Sequence, residues 1–214
     1  MKLIGYFRSS AAFRVRIALN MKGIGVEHAA RHLRKGEQSA PDYVAINPQK
    51  LVPALVLESG QVLTQSLAIL EYLDETHPKP PLLPADPVDR AHARALALIC
   101  TADIHPIQNL RVMAYLRKEL GQSEEVAFAW SRHWIETGFD AYEATIARDP
   151  RTGAFSVGDQ PTMADLCLVP QVFNAVRFKV DMNRYPTIRR IHERCMVLPA
   201  FDAAQPAKQL DAEA

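Results

Sequence analysis

Ser9 and Ser10 follow a short strand-like run, Leu3-Ile4-Gly5-Tyr6, and precede a segment, Ala11–Met21, that reads as an amphipathic helix with Phe13, Ile17 and Leu19 apolar and Arg14 and Arg16 polar. Two hydroxyls at a strand-to-helix junction sit where a helix leaves its first backbone N–H groups without partners and where its dipole is positive. Read alone, such a pair either caps the helix or receives an anion, a thiolate included. A second junction lies in Asn47-Pro48-Gln49-Lys50-Leu51-Val52-Pro53-Ala54-Leu55, where Pro53 directly precedes a strand. A proline there removes one ladder donor and is compatible with a cis bond. It marks an edge strand, or it turns the Val52 N–H and C=O toward a peptide-like ligand. The third junction is Gln65-Ser66, at the start of a helix over Ser66–Thr76. Ser66 can cap that helix, and a carboxylate is favoured at the same spot. In open α/β sheets junctions of this kind line a common crevice.

The elements that must position these residues alternate in type. Strands are expected at Lys2–Tyr6, Val26–Ala30, Ala54–Leu57 and Gln61–Leu63, the last two joined around Ser59-Gly60. Helices are expected at Ala11–Met21 and Ser66–Thr76, with a short helical piece at Pro41–Ile46. The order β-α-β-α-β-β-α predicts a small α/β sandwich with a mixed sheet, antiparallel at the closing hairpin. His77 to Pro87 then carries five prolines and reads as a linker.

Beyond it, Arg90–Glu119, Glu124–Ala147, Met163–Val176 and Tyr185–Met196 all place apolar residues at helical spacing. The expected domains are therefore 1–82, α/β, and 88–214, all-helical, with a loosely ordered tail from Ala203. Pro106 is expected to kink the first long helix. His105, Gln108, Asn109 and Arg111 cluster beside it, facing a cleft or solvent. Arg177, after the third helix, suits a carboxylate because its fork binds two oxygens at once, though a solvated surface role is the default. Thr162 and Asp165 form a capping box before Leu166, Leu168 and Val169, which assigns Asp165 to structure.

Composition narrows the partners. A hydrophobic content of 48% with 23% charged residues is that of a soluble globular protein. The net charge of +1 gives no bulk attraction for nucleic acid or anionic membrane. There is no apolar run of membrane length and no leader-like start, so a cytoplasmic protein is expected. Cys100, Cys167 and Cys195 are dispersed, which argues for a reducing compartment and against thiol redox chemistry. No metal site is expected: His28 and His32 have no third ligand at useful spacing.

Taken together these segments resemble the cytosolic glutathione transferases, whose thioredoxin-like N-terminal domain and all-α C-terminal domain have the active site between them. Phe7-Arg8-Ser9-Ser10 followed by Arg14-Val15-Arg16-Ile17-Ala18-Leu19 is similar to the zeta class. So are Val157-Gly158-Asp159, the run Thr162 to Val172, and Arg177-Phe178-Lys179-Val180-Asp181. That class includes maleylacetoacetate isomerase and, in bacteria, maleylpyruvate isomerase. The resemblance covers nearly the whole chain.

The resemblance implies glutathione as the cofactor, and it implies a role for each matching residue. Ser9 would hydrogen-bond the glutathione thiolate, with Ser10 and Ala11 opening the helix beside it. Val52, before the family's cis-proline Pro53, would pair with the cysteinyl backbone. Gln65 and Ser66 would hold the γ-glutamyl group, and Gln38 would be a further glutathione contact. His105, Asn109 and Arg111 would reach glutathione or substrate. The implied reaction is conversion of maleylacetoacetate to fumarylacetoacetate. The thiolate adds to the cis double bond, the resulting single bond rotates, and the thiolate leaves. Arg8 and Arg177, with Arg111, would hold the substrate carboxylates, and Arg8 would stabilise the enolate charge. Maleylpyruvate as substrate, and conjugation or α-haloacid dehalogenation, are the alternatives. A non-enzymatic thioredoxin-like protein is a further one, and the presence of Ser9, Val52-Pro53 and Gln65-Ser66 argues against it. The family also implies a homodimer. Two positions depart from its pattern: Ala11 stands where a cysteine is frequent, and Leu110 where some maleylpyruvate isomerases carry arginine.

Overall fold

A computed structural model describes residues 1–213 of the chain. It divides into two compact units, Met1–Leu82 with the segment from Val197 onward, and Leu83–Met196.

In the first unit, strands β1 (Lys2–Gly5), β2 (Glu27–Ala30), β3 (Ala54–Val56) and β4 (Val62–Thr64) form one sheet in the order β2-β1-β3-β4. β1 and β2 are parallel, whereas β1 with β3 and β3 with β4 are antiparallel. Helices α1 (Ser10–Met21), α2 (Pro41–Ile46) and α3 (Ser66–Thr76) complete the α/β pattern, with α1 packed on α3. The period of two explains the layering. Ile4 and Ala54, partners in the register, pack with Tyr43 of α2, while their neighbours Leu3 and Leu55 alternate to the opposite face. Gly5 lets α1 lie close, because a Cβ there would stand 3.3 Å from the Cβ of Ala12.

The proline-rich stretch after α3 is tied down. Lys22 Nζ donates to the carbonyls of His77 (2.6 Å) and Pro80 (2.8 Å) and to Asp74 Oδ1 (3.0 Å). Both the Val52-Pro53 and the Lys79-Pro80 peptide bonds are cis.

The second unit is helical: α4 (Pro87–Leu98), a π-helical turn Ile99–Ile104, α5 (His105–Gln108), α6 (Leu110–Lys118), α7 (Glu124–Ile146), α8 (Met163–Arg177) and α9 (Pro186–Met196). The single kinked helix expected over Arg90–Glu119 is therefore corrected to three helices and a π turn. The ring of Pro106 would collide with the carbonyl four residues back in a regular helix. The wider turn precedes it, and the actual break comes at Asn109, whose backbone is extended. Gly138 of α7 faces that turn; a Cβ there would come within 2.3 Å of Ile104 Cγ1.

The C-terminal expectation is corrected as well. The helical unit ends at Met196 rather than extending over 88–214, and residues 203–213 are docked on the first unit. Helix α10 (Pro199–Ala203) packs on α1, where Asn20 Nδ2 donates to the Ala200 carbonyl at 3.0 Å. The tail is held by backbone acceptors and carboxylates, which an apolar pattern does not reveal. Among the described residues no helix is long and apolar enough to cross a membrane.

Candidate active site

The strand register brings the three junctions to one edge of the sheet. Ile4 pairs with Ala54, so the end of β1 lies beside the start of β3; Ala54 pairs with Thr64, so the end of β4 lies there too. Ser9 thus follows β1, Val52-Pro53 precedes β3 and Gln65-Ser66 follows β4, all at the same edge. β2 is parallel to β1 with Gly5 opposite Ala30, which directs the segment carrying Gln38 past that edge as well.

Ser9 is the N-cap of α1. Its Oγ accepts from the Ala12 N–H at 3.2 Å, and its own N–H donates to the Tyr6 carbonyl at 2.9 Å. The cap uses the hydroxyl as an acceptor, so its proton is still available to an anion. The first turn of α1 contains no acidic residue, so the helix brings no carboxylate of its own to its positive end. Ser10 is the first helical residue and buried, and Ala11 follows half-buried. Arg8 is half-buried in the preceding turn, its guanidinium 6.0 Å from the centre of the Phe7 ring.

The Val52 loop is fixed from below. Tyr43 Oη (2.6 Å) and Asn47 Nδ2 (2.7 Å) both donate to the Leu51 carbonyl, and both residues are buried. Val52 itself precedes the β3 ladder, so its N–H and C=O are not part of the strand pairing.

At the third junction Ser66 is not the cap. Gln65 holds that position with φ +68°, a left-handed value that costs a non-glycine residue strain, and it makes no side-chain capping bond. Its Nε2 donates to Gln49 Oε1 at 2.9 Å. The buried Ser66 hydroxyl instead accepts from Arg14 Nη1 at 3.2 Å, which ties α1 to the start of α3. The α3 first turn is also free of acidic residues. Gln38 lies in a 3₁₀ turn, Glu37–Ser39, and its Oε1 is buried with no hydrogen-bond partner among the described residues.

The remaining candidates belong to the second unit. His105 begins α5. Asn109 caps α6: its Oδ1 accepts from the N–H groups of Arg111 (3.1 Å) and Val112 (3.3 Å), while Nδ2 donates to the Pro106 carbonyl at 3.0 Å. Arg111 is exposed in the first turn of α6, and Gln108 is buried rather than part of a solvated face. Arg177 is the last residue of α8, exposed, with its guanidinium 5.1 Å from the Phe178 ring centre. Asp165 is fully buried and accepts from the Thr162 N–H (2.8 Å), the Thr162 hydroxyl (3.1 Å) and the Ser156 N–H (2.9 Å). Burial pushes its carboxyl up while these donors oppose the shift. It is structural, as its sequence context indicates.

Several supporting residues escape sequence reasoning. Arg14 and Arg16 look like a polar helix face, yet both are buried. A signal for this exists: residues two apart on a helix point about 160° apart, so they cannot share one solvated side. Arg16 Nη2 donates to the Phe7 carbonyl and Nε to the Ala204 carbonyl, each at 3.0 Å. Burial pushes its guanidinium down, opposed by the charge of Asp211. Tyr43, Asn47 and Asp211 carry no local signature at all.

Residues 1–75 match the family described as the glutathione S-transferase N-terminal domain. Maleylpyruvate isomerase of Ralstonia sp is 52% identical over 99% of this chain and 99% of its own length. The probable maleylacetoacetate isomerase of Vibrio cholerae is 48% identical, covering 98% of this chain and 97% of its own. The crystal structure of maleylacetoacetate isomerase from Methylobacterium extorquens AM1, with bound malonate and GSH, is 43% identical and covers both chains fully, with a TM-score of 0.98.

Proposed function

The chain belongs to the zeta class of glutathione transferases, the maleylacetoacetate isomerase family, and from that premise we propose that it is a glutathione-dependent cis–trans isomerase acting on maleylacetoacetate. The observation that carries the reading is the strand register, which gathers three junctions of different chemistry at one sheet edge. The donor set fits glutathione: a hydroxyl at an acid-free helix end, a backbone amide outside the ladder, and a second acid-free helix end. The buried Gln38 Oε1 adds an acceptor with no protein partner among the described residues.

Bound there, glutathione supplies a thiolate nucleophile for the cis double bond. The Ser9 hydroxyl donates a hydrogen bond to that sulfur, and the α1 N-terminus lowers the thiol pKa from a free value of about 8.5. Ser10 and Ala11 open the helix at the same point. Val52 and Pro53 present backbone groups to the cysteinyl residue, and Gln65 with Ser66 holds the γ-glutamyl group. We assign Arg8, Arg111 and Arg177 to the substrate carboxylates, and Arg8 to the charge that develops on the enolate oxygen. His105 and Asn109 complete the family positions, Asn109 while also capping α6.

A second reading has maleylpyruvate as the substrate, the acid in the name of the 52%-identical Ralstonia isomerase. The test is loss of cis-enone absorbance for each acid with glutathione far below substrate. Many turnovers per glutathione with a trans product support the isomerase, and the faster acid names the substrate. Stoichiometric consumption of glutathione would replace the proposal with a conjugating transferase. We further propose a cytoplasmic homodimer. The three cysteines, buried and not joined in disulfides among the described residues, suit a reducing compartment, and a monomer mass in light scattering would remove the dimer.

A further inference from the structure

We propose that the C-terminal tail, through Asp211, is a positioning element for the glutathione site, holding the turn that presents Ser9. The inference deepens the function proposed above and rests on it. Tyr6-Phe7-Arg8-Ser9 is a turn closed by the Ser9 N–H on the Tyr6 carbonyl at 2.9 Å. Its second residue is gripped on both sides. The Phe7 N–H donates to Asp211 Oδ2 at 2.9 Å, and the Phe7 carbonyl accepts from Arg16 Nη2 at 3.0 Å. The same guanidinium is anchored on the tail, through Nε to the Ala204 carbonyl at 3.0 Å. Tail and buried arginine therefore fix the two peptide groups that set the direction of the chain into Arg8 and Ser9.

The tail reaches the second junction too. Ala212 packs against the cluster of Ile4, Tyr6, Phe7, Tyr43, Val52 and Ala54, which contains both the Ser9 turn and the Val52 position. Glu213 Oε1 lies 2.7 Å from His32 Nε2 and secures the end of the segment at a different place. Phe7 is buried, so losing the Asp211 acceptor leaves its N–H without a partner away from water. The turn then relaxes, and a small displacement of the Ser9 hydroxyl is enough to weaken a directional bond to sulfur.

The experiment uses the full chain and the variants Asp211→Ala, Asp211→Asn and Glu213→Ala. Glutathione affinity is measured by calorimetry, and the pKa of the bound thiol by thiolate absorbance against pH. Asp211→Ala is expected to bind glutathione roughly tenfold more weakly, the equivalent of one charge-assisted bond, with the bound thiol pKa raised toward the free value. Asp211→Asn keeps an oxygen acceptor and should restore most of both. Glu213→Ala loosens the tail without touching the turn and should leave both near wild type. An Asp211→Ala protein with wild-type affinity and thiol pKa overturns the inference, and so does a Glu213→Ala protein that matches it. If Asp211→Ala does not fold, Asp211→Glu displaces the acceptor by one methylene and is read out in the same way. Wild-type protein that binds no glutathione fails the functional proposal instead, an outcome distinct from either of these.

Discussion

Helices α1 and α8 begin with similar local signatures and end up with opposite chemistry. Each has a hydroxyl residue at the N-cap, Ser9 or Thr162, followed by a strongly apolar helix. In α8 the first turn brings its own carboxylate: Asp165 takes the Thr162 N–H, the Thr162 hydroxyl and the Ser156 N–H in a fully buried setting. In α1 the first turn has no acid, and Ser9 accepts a single N–H. One helix end is neutralised from within, while the other keeps a positive end and a hydroxyl proton for something external. Helix α3 repeats the acid-free pattern at the same sheet edge as α1. The difference between the structural cap and the end we propose for glutathione lies in the first turn, and in whether a second acid-free end stands beside it.

Breaking the structural end should give the largest effect. Asp165→Ala leaves three buried donors without an acceptor, and a loss of about 3 kcal/mol or more in unfolding free energy is expected. Urea melts measure it, and activity per folded molecule should stay near wild type. The converse holds at the other end. Ser9→Ala should lower turnover by ~10²-fold, the scale of losing one well-placed donor, while the lost cap costs only about 1 kcal/mol. If Asp165→Ala abolished glutathione binding in folded protein, or Ser9→Ala kept full turnover, the contrast between the ends would collapse.

The parts of this contrast that are legible in the sequence are those written in consecutive residues. Pro41–Ile46 and Ser66–Thr76 emerge with the expected bounds, because a proline at the first turn and an apolar repeat are local signals. The Thr162–Asp165 box is legible for the same reason. Ser66 reads as a cap in sequence and is not one, because nothing local tells that Gln65 adopts a positive φ or that Arg14 claims the hydroxyl. The break at Asn109 reads as a kink at Pro106, since a proline is visible in sequence and a π turn that relieves it is not. Asp211 is hidden most completely: its partner, the Phe7 backbone, is 204 residues away.

Gln65 sharpens the comparison at the second acid-free end. Its φ of +68° is one that glycine adopts without penalty. Gln65→Gly should therefore raise stability by up to about 1 kcal/mol, the relieved strain offset in part by a more flexible unfolded chain. Glutathione affinity should fall at the same time, because the side chain proposed to hold the γ-glutamyl group is gone. A melting temperature that rises with affinity unchanged would confine Gln65 to backbone geometry.

The smallest effect concerns a carboxylate moved the opposite way from Asp165. Asp149 accepts from Arg151 Nε and from the Arg151 N–H, both at 2.9 Å, and the guanidinium and that N–H hold its carboxyl well below the usual carboxylate range. A depressed folded-state pKa favours the ionised form in the native protein. The stabilisation is therefore present above the unfolded value of about 3.9 and is lost as pH falls through the folded one. Asp149→Asn should be less stable than wild type near neutrality, by a small amount because the partner guanidinium of Arg151 is 35% exposed and water weakens the pair. The two denaturation midpoints should converge as the solution is taken below about pH 4. Midpoints that stay equally separated down to the acid limit would mean that Asp149 acts through its shape and hydrogen bonds, with its charge contributing nothing.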